Sequence, residues 1–598
     1  MSAIAPSSLT PTPSSLPPTP HPSFLTTPPT PLRFGTSGLR GLVCDMTDLE
    51  VYINTKGFLR YLLQGGELAL NEPVALAEDL RETDPDTGLS SSPRIGLAVV
   101  QAIRDAGLEA VHCGKLPTPT LAYYAASREA PMPCVMITGS HIPANRNGVK
   151  FYKRDGEVLK RDEEGILAAV ADVRREEYEK DANTSAFDAS SMLKIVPTTT
   201  MDAMPAEAAY LERYLSLFAA EAPLTDKRVV VYQHSAVGRD LLVRLLESLG
   251  AEVIAVGRTA HFVSVDTEDV TAEDHALFAR MAAEHHPDAI VSTDGDSDRP
   301  LVVDESGVFH RGDVLGAVTA AFLKATYAAV PISCSDAIEG YVSQAGLSLQ
   351  VERTRIGSPY VVAAMNEALA RGSDDAVGWE ANGGFLTASD FELSAGTLRA
   401  LPTRDAVLPI LAALLSASRR KIPLSALFSE LPQRATGAGL IDDFPRKASQ
   451  AIVARYSPSA SDITEARFER SADGGENARD DKSNIIISRE PSSAPETLEA
   501  KDALHQELTL CRRRLQHHFS GDRAFGPVIK LNYVDGVRAW FNSGEVVHLR
   551  PSGNAPQLRI YAVSDDEART SAIVDEAIGE PHGTLRRMER EIKEEPAQ

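Results

Sequence analysis

At 598 residues, with 43% hydrophobic residues and a formal net charge of −23, the chain has the composition of an ordinary globular protein too long for one core. The charge argues against nucleic acid or an anionic membrane as the main partner, since both are bound through basic surface, but leaves room for an anionic small molecule in a local basic pocket. Five scattered cysteines (Cys44, Cys113, Cys134, Cys334 and Cys511) make neither a disulfide framework nor a zinc site, and no apolar run reaches the ~20 residues of a membrane span; Ala317–Val330 comes nearest and Lys324 interrupts it.

Residues 1–32 are Pro, Ser and Thr with scattered apolar residues, and such a segment cannot bury enough surface to offset its ordering entropy, so it is predicted disordered. It lacks acidic residues, as transit peptides do, but the first arginine is Arg33, which disfavours a targeting role, and a reducing, cytoplasmic setting is expected. From Arg33 strand and helix alternate: a strand at Val74–Leu80, a helix opened by Ser92-Pro93 and closed by Gly107, then strands at Glu109–Cys113 and Cys134–Thr138. The scheme returns with a strand at Arg228–Tyr232, a leucine-rich helix ending at Gly250 and a strand at Val253–Val256. A third, less regular copy runs from Ile332 through Thr354 to Phe385.

The C-terminal portion departs from this pattern. A strand is predicted after Arg434 and a helix over Lys447–Tyr456, followed by a polar surface insertion over 457–496 whose one apolar piece is Asn484-Ile-Ile-Ile487. A helix over Thr497–Phe519 and strands at Val528–Val534, Arg538–Asn542, Val546–Arg550 and Leu558–Ala562 complete an α+β unit, and the charged tail after Gly583 is expected to fray. The fold class is therefore α/β: three similar mixed-sheet domains (33–200, 201–312, 313–425) and an α+β domain (426–598).

Three stretches could carry chemistry. In Ile137-Thr-Gly-Ser-His-Ile-Pro143 a short buried strand runs into a small-residue turn bearing Ser140 and His141, with Lys150 nearby. That placement suits nucleophilic or phosphoryl-carrying chemistry, and equally a Ser/His helix cap. In Asp294-Gly-Asp-Ser-Asp-Arg299 alternate side chains of an extended segment would converge as three carboxylates on one hard cation. Magnesium fits better than calcium: Glu305 stands twelfth, as in a calcium-binding helix-loop-helix, but Arg299 takes the sixth position, where glycine is needed, and the flanks are strand-like. Arg550-Pro-Ser-Gly-Asn-Ala-Pro-Gln-Leu-Arg559 places an arginine at each end of a turn and suits a phosphate, though a polar hairpin loop reads the same way.

With Phe34-Gly-Thr-Ser-Gly-Leu-Arg-Gly41 and Gly378-Trp-Glu-Ala-Asn-Gly-Gly-Phe385, these stretches stand in an order that resembles the signature loops of the α-D-phosphohexomutases, the phosphomannomutase and phosphoglucomutase superfamily, over roughly residues 33 to 565. The resemblance implies four lobes around one cleft and reversible phosphoryl transfer between C1 and C6 of a hexose phosphate, of mannose and also of glucose. The transfer would run through phosphorylated Ser140, with a hexose 1,6-bisphosphate intermediate and activator and one Mg²⁺ held by Ser140, Asp294, Asp296 and Asp298. It implies Lys150, His141 and Arg40 as catalytic groups. Arg299, Thr354, Gly357, Glu380, Asn382, Arg550, Ser552, Gly553, Asn554 and Arg559 would bind substrate.

A lysine serves as base only if neighbouring cations lower its pKa, and a structural His141 bonded to the loop backbone is an equal reading. The turn at Thr354–Gly357 is equally a helix start. The chain departs from the family at Gly139 and Ile142 and at Asn554-Ala555. It also lacks the sugar-loop histidine, where Gly384 stands, which bears on the acid and base more than on the reaction. An amino-sugar mutase and a non-catalytic sugar-phosphate-binding scaffold are the competing readings.

Overall fold

In a computed structural model the described residues are 21–34, 38–82, 88, 90–469, 484–490, 495–519, 525–552 and 556–594. They fold into two compact units, the first made of Met1–Ala276, Glu284–Leu301 and Glu392–Val407, the second of Leu277–Ala283, Val302–Phe391 and Leu408–Gln598.

The first unit is built on a mixed sheet in which the fully buried strand Cys134–Ile137 lies between Pro73–Glu78, parallel to it, and Arg146–Lys153, antiparallel. The antiparallel register sets Lys150 opposite Met136, one strand away from the serine that follows Ile137. The predicted helix spans Ser92–Asp105, with Pro93 in its first turn, where a missing N–H costs nothing, and buries Ile95, Val99, Val100 and Ile103 against this sheet. A second group of strands, Glu252–Val256, Arg228–Tyr232 and Ala289–Thr293, runs parallel in that order. All five residues of Ala289–Thr293 are buried, as a parallel strand covered on both faces requires, and the acidic loop leaves its C-terminal end. The strand Leu401–Asp405 is also part of this unit and packs on the helix Thr118–Ala126.

The expected disorder of 1–32 does not extend to the part of it that is described. Leu25 is buried in the first core with Phe24 against it, and Thr26 N donates to Ala189 O at 2.8 Å; residues 1–20 lie outside the described residues.

In the second unit the strands Gln350–Thr354, Tyr327–Pro331 and Ala376–Trp379 run parallel and Phe385–Thr387 returns antiparallel. The apolar run 317–330 divides into the helix Gly312–Leu323 and the following strand, with Lys324 in the left-handed region between them. An eight-stranded antiparallel sheet follows, and here the structure corrects the sequence reading in three places. Ile463–Glu469, read as polar surface, is a strand paired with Asn484–Arg489 on one side and Val528–Asn532 on the other. Its charges Glu465, Arg467 and Glu469 stand on one face, while Ala466 and Phe468 enter the core, a period-two pattern that composition conceals. The helix predicted over 497–519 begins at Ala503, because Glu496–Leu498 pairs with Asn484–Arg489 as an edge strand. The tail expected to fray is the helix Thr584–Glu594, held by Leu585 and Met588, both fully buried beside Ile452 and Tyr456.

Candidate active site

The first unit gathers the serine turn and the acidic loop. Ser140 takes a left-handed conformation, φ +55°, and its N–H donates to Thr138 Oγ1 at 2.7 Å. Strain of that kind in a buried serine persists only where the surroundings over-determine it. Arg81 does so: its Nη2 donates to Ser140 O at 2.8 Å, its Nη1 to Pro143 O at 2.8 Å and Arg146 O at 3.1 Å, and its Nε to Asp79 at 3.1 Å. The guanidinium also lies over the Phe262 ring, 3.7 Å from its centroid. A Cβ at position 139 would stand 2.7 Å from Arg81 Cζ, so Gly139 leaves the room this arginine fills.

Ser140 Oγ donates to Asp294 Oδ2 at 2.5 Å and lies 3.3 Å from His141 Nδ1. Among the described residues the His141 ring meets the Ser140 side chain and no backbone atom of its loop: its Nε2 stands 3.7 Å from Asp266, and burial with the charges of Arg299 and Arg40 lowers its pKa to about 2, leaving it neutral.

The three carboxylates converge, but not by strand alternation. Asp294–Asp298 is a tight turn with Ser297 at φ +58°, in which Asp294 Oδ1 accepts from the amides of Asp298 and Arg299 at 3.1 and 3.2 Å. Gly238 N donates to Ser297 Oγ at 3.0 Å and fixes the turn from outside. Strands flank it, Ala289–Thr293 and Pro300–Asp304, and Glu305 bonds Ser425, which removes the calcium-loop reading.

Lys150 Nζ donates to Asp296 Oδ2 at 2.6 Å and to Asp298 Oδ2 at 2.7 Å. Two residues with no sequence motif complete the cluster. Thr118 Oγ1 donates to Asp296 Oδ2 at 2.6 Å, and Arg404 Nε, from the strand Leu401–Asp405, to Asp298 Oδ2 at 3.1 Å. Arg299 stands 3.9 Å from Asp294 and 3.8 Å from Asp298, and Arg40, open to solvent, feels the charges of Asp296 and Asp298.

One oxygen of each of the three aspartates lies within 4.8 Å of the others, and the buried Oδ1 atoms of Asp296 and Asp298 have no hydrogen-bond partner. Burial, followed by the charges of Asp296 and Asp298, pushes Asp294 well above the carboxylate range. Acceptor-only oxygens turned inward at such a cost are what a divalent cation satisfies, and the all-oxygen set suits magnesium. Burial alone would lower the Lys150 ammonium, but the Asp296 and Asp298 carboxylates outweigh it and hold it above its ordinary value. The protein's own residues therefore do not lower the Lys150 pKa, the condition named for its service as a base.

The second unit carries the remaining predicted residues. Trp379 and Phe385 stack, with ring centroids 5.7 Å apart, and bracket the loop of Glu380 and Asn382, both buried. Asn382 Oδ1 accepts from Gly384 N at 3.0 Å, so part of its side chain shapes the loop itself. Thr354 Oγ1 bonds Arg355 O at 2.9 Å, and Gly357, φ +127°, precedes the helix Ser358–Ala370, as the helix-start reading expects.

Arg550 and Arg559 are direct cross-strand partners in one antiparallel register. Like charges placed opposite each other repel, an arrangement that an anion between them reverses in sign. Arg550 Nε donates to Asp535 Oδ2 at 2.9 Å, Arg559 Nη2 to Gln557 at 3.3 Å, and Ser552 N to Gln557 O at 3.0 Å, closing the hairpin. Gly553 and Asn554 lie outside the described residues.

The phosphoglucomutase/phosphomannomutase α/β/α domains I, II and III match residues 31–177, 208–307 and 311–435. A phosphomannomutase of Sinorhizobium fredii is 37% identical over 540 residues, 89% of this chain and 95% of that protein. The chain belongs to the phosphoglucomutase/phosphomannomutase family. A Salmonella muenchen phosphomannomutase is 35% identical over 91% of this chain and 94% of its own length, and a Caulobacter vibrioides phosphoglucosamine mutase 28% over 70% and 86%. Among solved structures, a phosphomannomutase described as putative, from Thermus thermophilus, superposes with a TM-score of 0.60 at 18% identity, covering 92% of this chain and 98% of that one, which bears on the fold alone. As a member of this family, one of α-D-phosphohexomutases, the chain is an enzyme, an isomerase that moves a phosphoryl group within a hexose phosphate.

Proposed function

We propose that this phosphohexomutase interconverts mannose 1-phosphate and mannose 6-phosphate, and also takes glucose phosphates, with phosphorylated Ser140 as the phosphoryl donor. The observation that carries the reading is the Ser140 hydroxyl donating to Asp294 Oδ2 beside the buried Oδ1 atoms of Asp296 and Asp298, which have no hydrogen-bond partner. In the forward half-reaction the bond between phosphorus and Ser140 Oγ breaks as a bond from phosphorus to a sugar hydroxyl oxygen forms. The sugar hydroxyl proton leaves to a base, Ser140 Oγ takes up a proton as it departs, and the product is a hexose 1,6-bisphosphate. The second half-reaction returns the other phosphoryl group to Ser140 Oγ.

Asp294, Asp296, Asp298 and a phosphoryl oxygen on Ser140 would hold a magnesium ion, which when bound supplies positive charge to the transferring group and engages the carboxylates that tie Lys150. Lys150 and the neutral His141 are the nearest groups able to carry the proton. Arg299 and Arg40 add charge complementary to a phosphoryl group. In the second unit Arg550 and Arg559, with Ser552, Gly553 and Asn554, would hold the phosphate that is not reacting. Thr354, Gly357, Glu380 and Asn382 would read the sugar. All five cysteines are free thiols, which supports a cytoplasmic setting.

The test is a coupled assay with mannose 1-phosphate, glucose 1-phosphate and an N-acetylglucosamine phosphate side by side, primed with a hexose 1,6-bisphosphate. Preference for the acetylated sugar would replace this reading by an amino-sugar mutase. No turnover of any, with no phosphoserine in the intact mass, would leave a binding scaffold.

A further inference from the structure

Asp535 belongs to none of the motifs named above, yet it joins two of the stretches assigned to substrate. It sits in the turn between the strands Val528–Asn532 and Val537–Phe541. Its Oδ2 accepts from Arg550 Nε at 2.9 Å and from the backbone N–H of Ile356 at 3.2 Å. The preceding carbonyl, Val534 O, accepts from Arg355 Nε at 3.2 Å, and Asp535 O lies 2.5 Å from His548 Nε2, two residues before Arg550 on its strand. One carboxylate oxygen therefore draws an arginine from the 550–559 hairpin and an amide from the 354–357 turn to a single point. The bond uses Nε, on the side edge of the guanidinium, and does not engage the end edge formed by the two terminal nitrogens, a fork that can take an oxyanion bidentately.

We propose that Asp535 is a positioning residue for phosphate recognition: it orients the Arg550 guanidinium and docks the Thr354–Gly357 turn beside it, so that the anchored phosphate meets a preset pair of donor groups. This rests on the reading that the 550–559 hairpin binds a substrate phosphate. The physical reason is entropic as well as electrostatic. A long arginine side chain loses rotamer freedom when it grips an anion, and a carboxylate that has already fixed it removes that loss from the binding step. A half-buried Asp535, near one-fifth exposed like Arg550 itself, is placed to do this without being sealed from the ligand.

The experiment compares the wild type, Asp535→Asn, Arg550→Ala and the double variant in the full-length enzyme. It reads steady-state kinetics with a hexose 1-phosphate, calorimetric titration with inorganic phosphate, and the thermal midpoint. Asp535→Asn is expected to raise KM and the phosphate Kd about tenfold, with the larger share of the kinetic loss in KM, as outer partners of a ligand-binding group do. On the Arg550→Ala background it is expected to add less than about a further twofold, because it acts through that arginine.

A tighter phosphate Kd in Asp535→Asn would show the carboxylate competing with the anion and overturn the proposal. So would an equal effect in both backgrounds. Should Asp535→Asn fail to fold, Asp535→Glu keeps the charge and moves it by one methylene, and an unchanged phosphate Kd there would equally overturn it. The reading underneath is tested separately, by wild-type turnover and the KM of Arg550→Ala. If the wild type turns nothing over, the phosphate titration still decides the role of Asp535.

Discussion

Ser140 Oγ and Asp294 Oδ2 lie 2.5 Å apart although 154 residues separate them in the chain. The hydroxyl reaches that carboxylate because Ser140 is held at positive φ by Arg81 and because the acidic turn is pressed against it: a Cβ at Gly295 would stand 2.6 Å from Ser140 O. Replacing the hydroxyl removes the group that would be phosphorylated. Ser140→Ala is expected to lose turnover by a factor on the order of 10³ or more, with no phosphoserine in the intact mass and an unchanged thermal midpoint. Residual turnover within about tenfold of wild type would remove Ser140 from the mechanism.

The close approach of position 139 to Arg81 predicts a stability effect without any change of polarity. Gly139→Ala places a methyl group 2.7 Å from the guanidinium carbon, inside a turn the arginine ties at three carbonyls. Overpacking of this kind costs about 1–3 kcal/mol. Thermal denaturation measures it, and the serine turn is expected to lose order with it, lowering kcat.

The opposed pair Arg550 and Arg559 makes a prediction with two signs. Without ligand, Arg559→Ala relieves like-charge repulsion worth about 0.2–1 kcal/mol. With ligand it removes a donor group, as Arg550→Ala does, and binding of a hexose phosphate is expected to weaken by about 2–5 kcal/mol in Arg550→Ala. Stability by denaturant titration and KM by kinetics separate the two effects. A neutral sugar weakened as much as its phosphate would assign these arginines to something other than the anion.

The last helix is structural rather than a loose tail. Met588 is fully buried in the C-terminal core, and Met588→Ala is expected to cost about 2–5 kcal/mol in a urea titration that monitors this domain. A cost near zero would mean that Thr584–Glu594 detaches without consequence.

His548 gives the C-terminal sheet a pH dependence. Burial, with the charge of Arg538 and, more weakly, Arg550, lowers its pKa to about 4, against the attraction of the Asp535 carbonyl and carboxylate. The unfolded chain, with an ordinary histidine near 6.5, binds the proton first. The stability from this group is therefore complete above about pH 6.5 and is lost as pH falls toward 4, at about 1.4 kcal/mol per pH unit within that window. His548→Gln is expected to flatten the fall of the thermal midpoint between those pH values.

Much of the fold could be read along the chain because each signal is local. The buried run Ala289–Thr293, the proline at the start of Ser92–Asp105 and the strands of the final hairpins are set by neighbours a few residues away. The five loops could be read for the same reason, each carrying its residue types within a short span. The strand Ile463–Glu469 could not, since its charged face hides a two-residue period that matters only once Asn484–Arg489 and Val528–Asn532 lie on either side.

The chain by itself determined that a serine turn, three carboxylates and two arginines would be present, together with the βα units that carry them. Only the tertiary structure decided which distant groups complete them: Arg81 beneath Ser140, Thr118 and Arg404 on the carboxylates, Asp535 behind Arg550. The tertiary structure also set Lys150 between two carboxylates, Asp296 and Asp298. Lone polar residues of this kind carry no pattern, because a buried charge selects its partner by distance across the fold, and sequence separation does not report that distance.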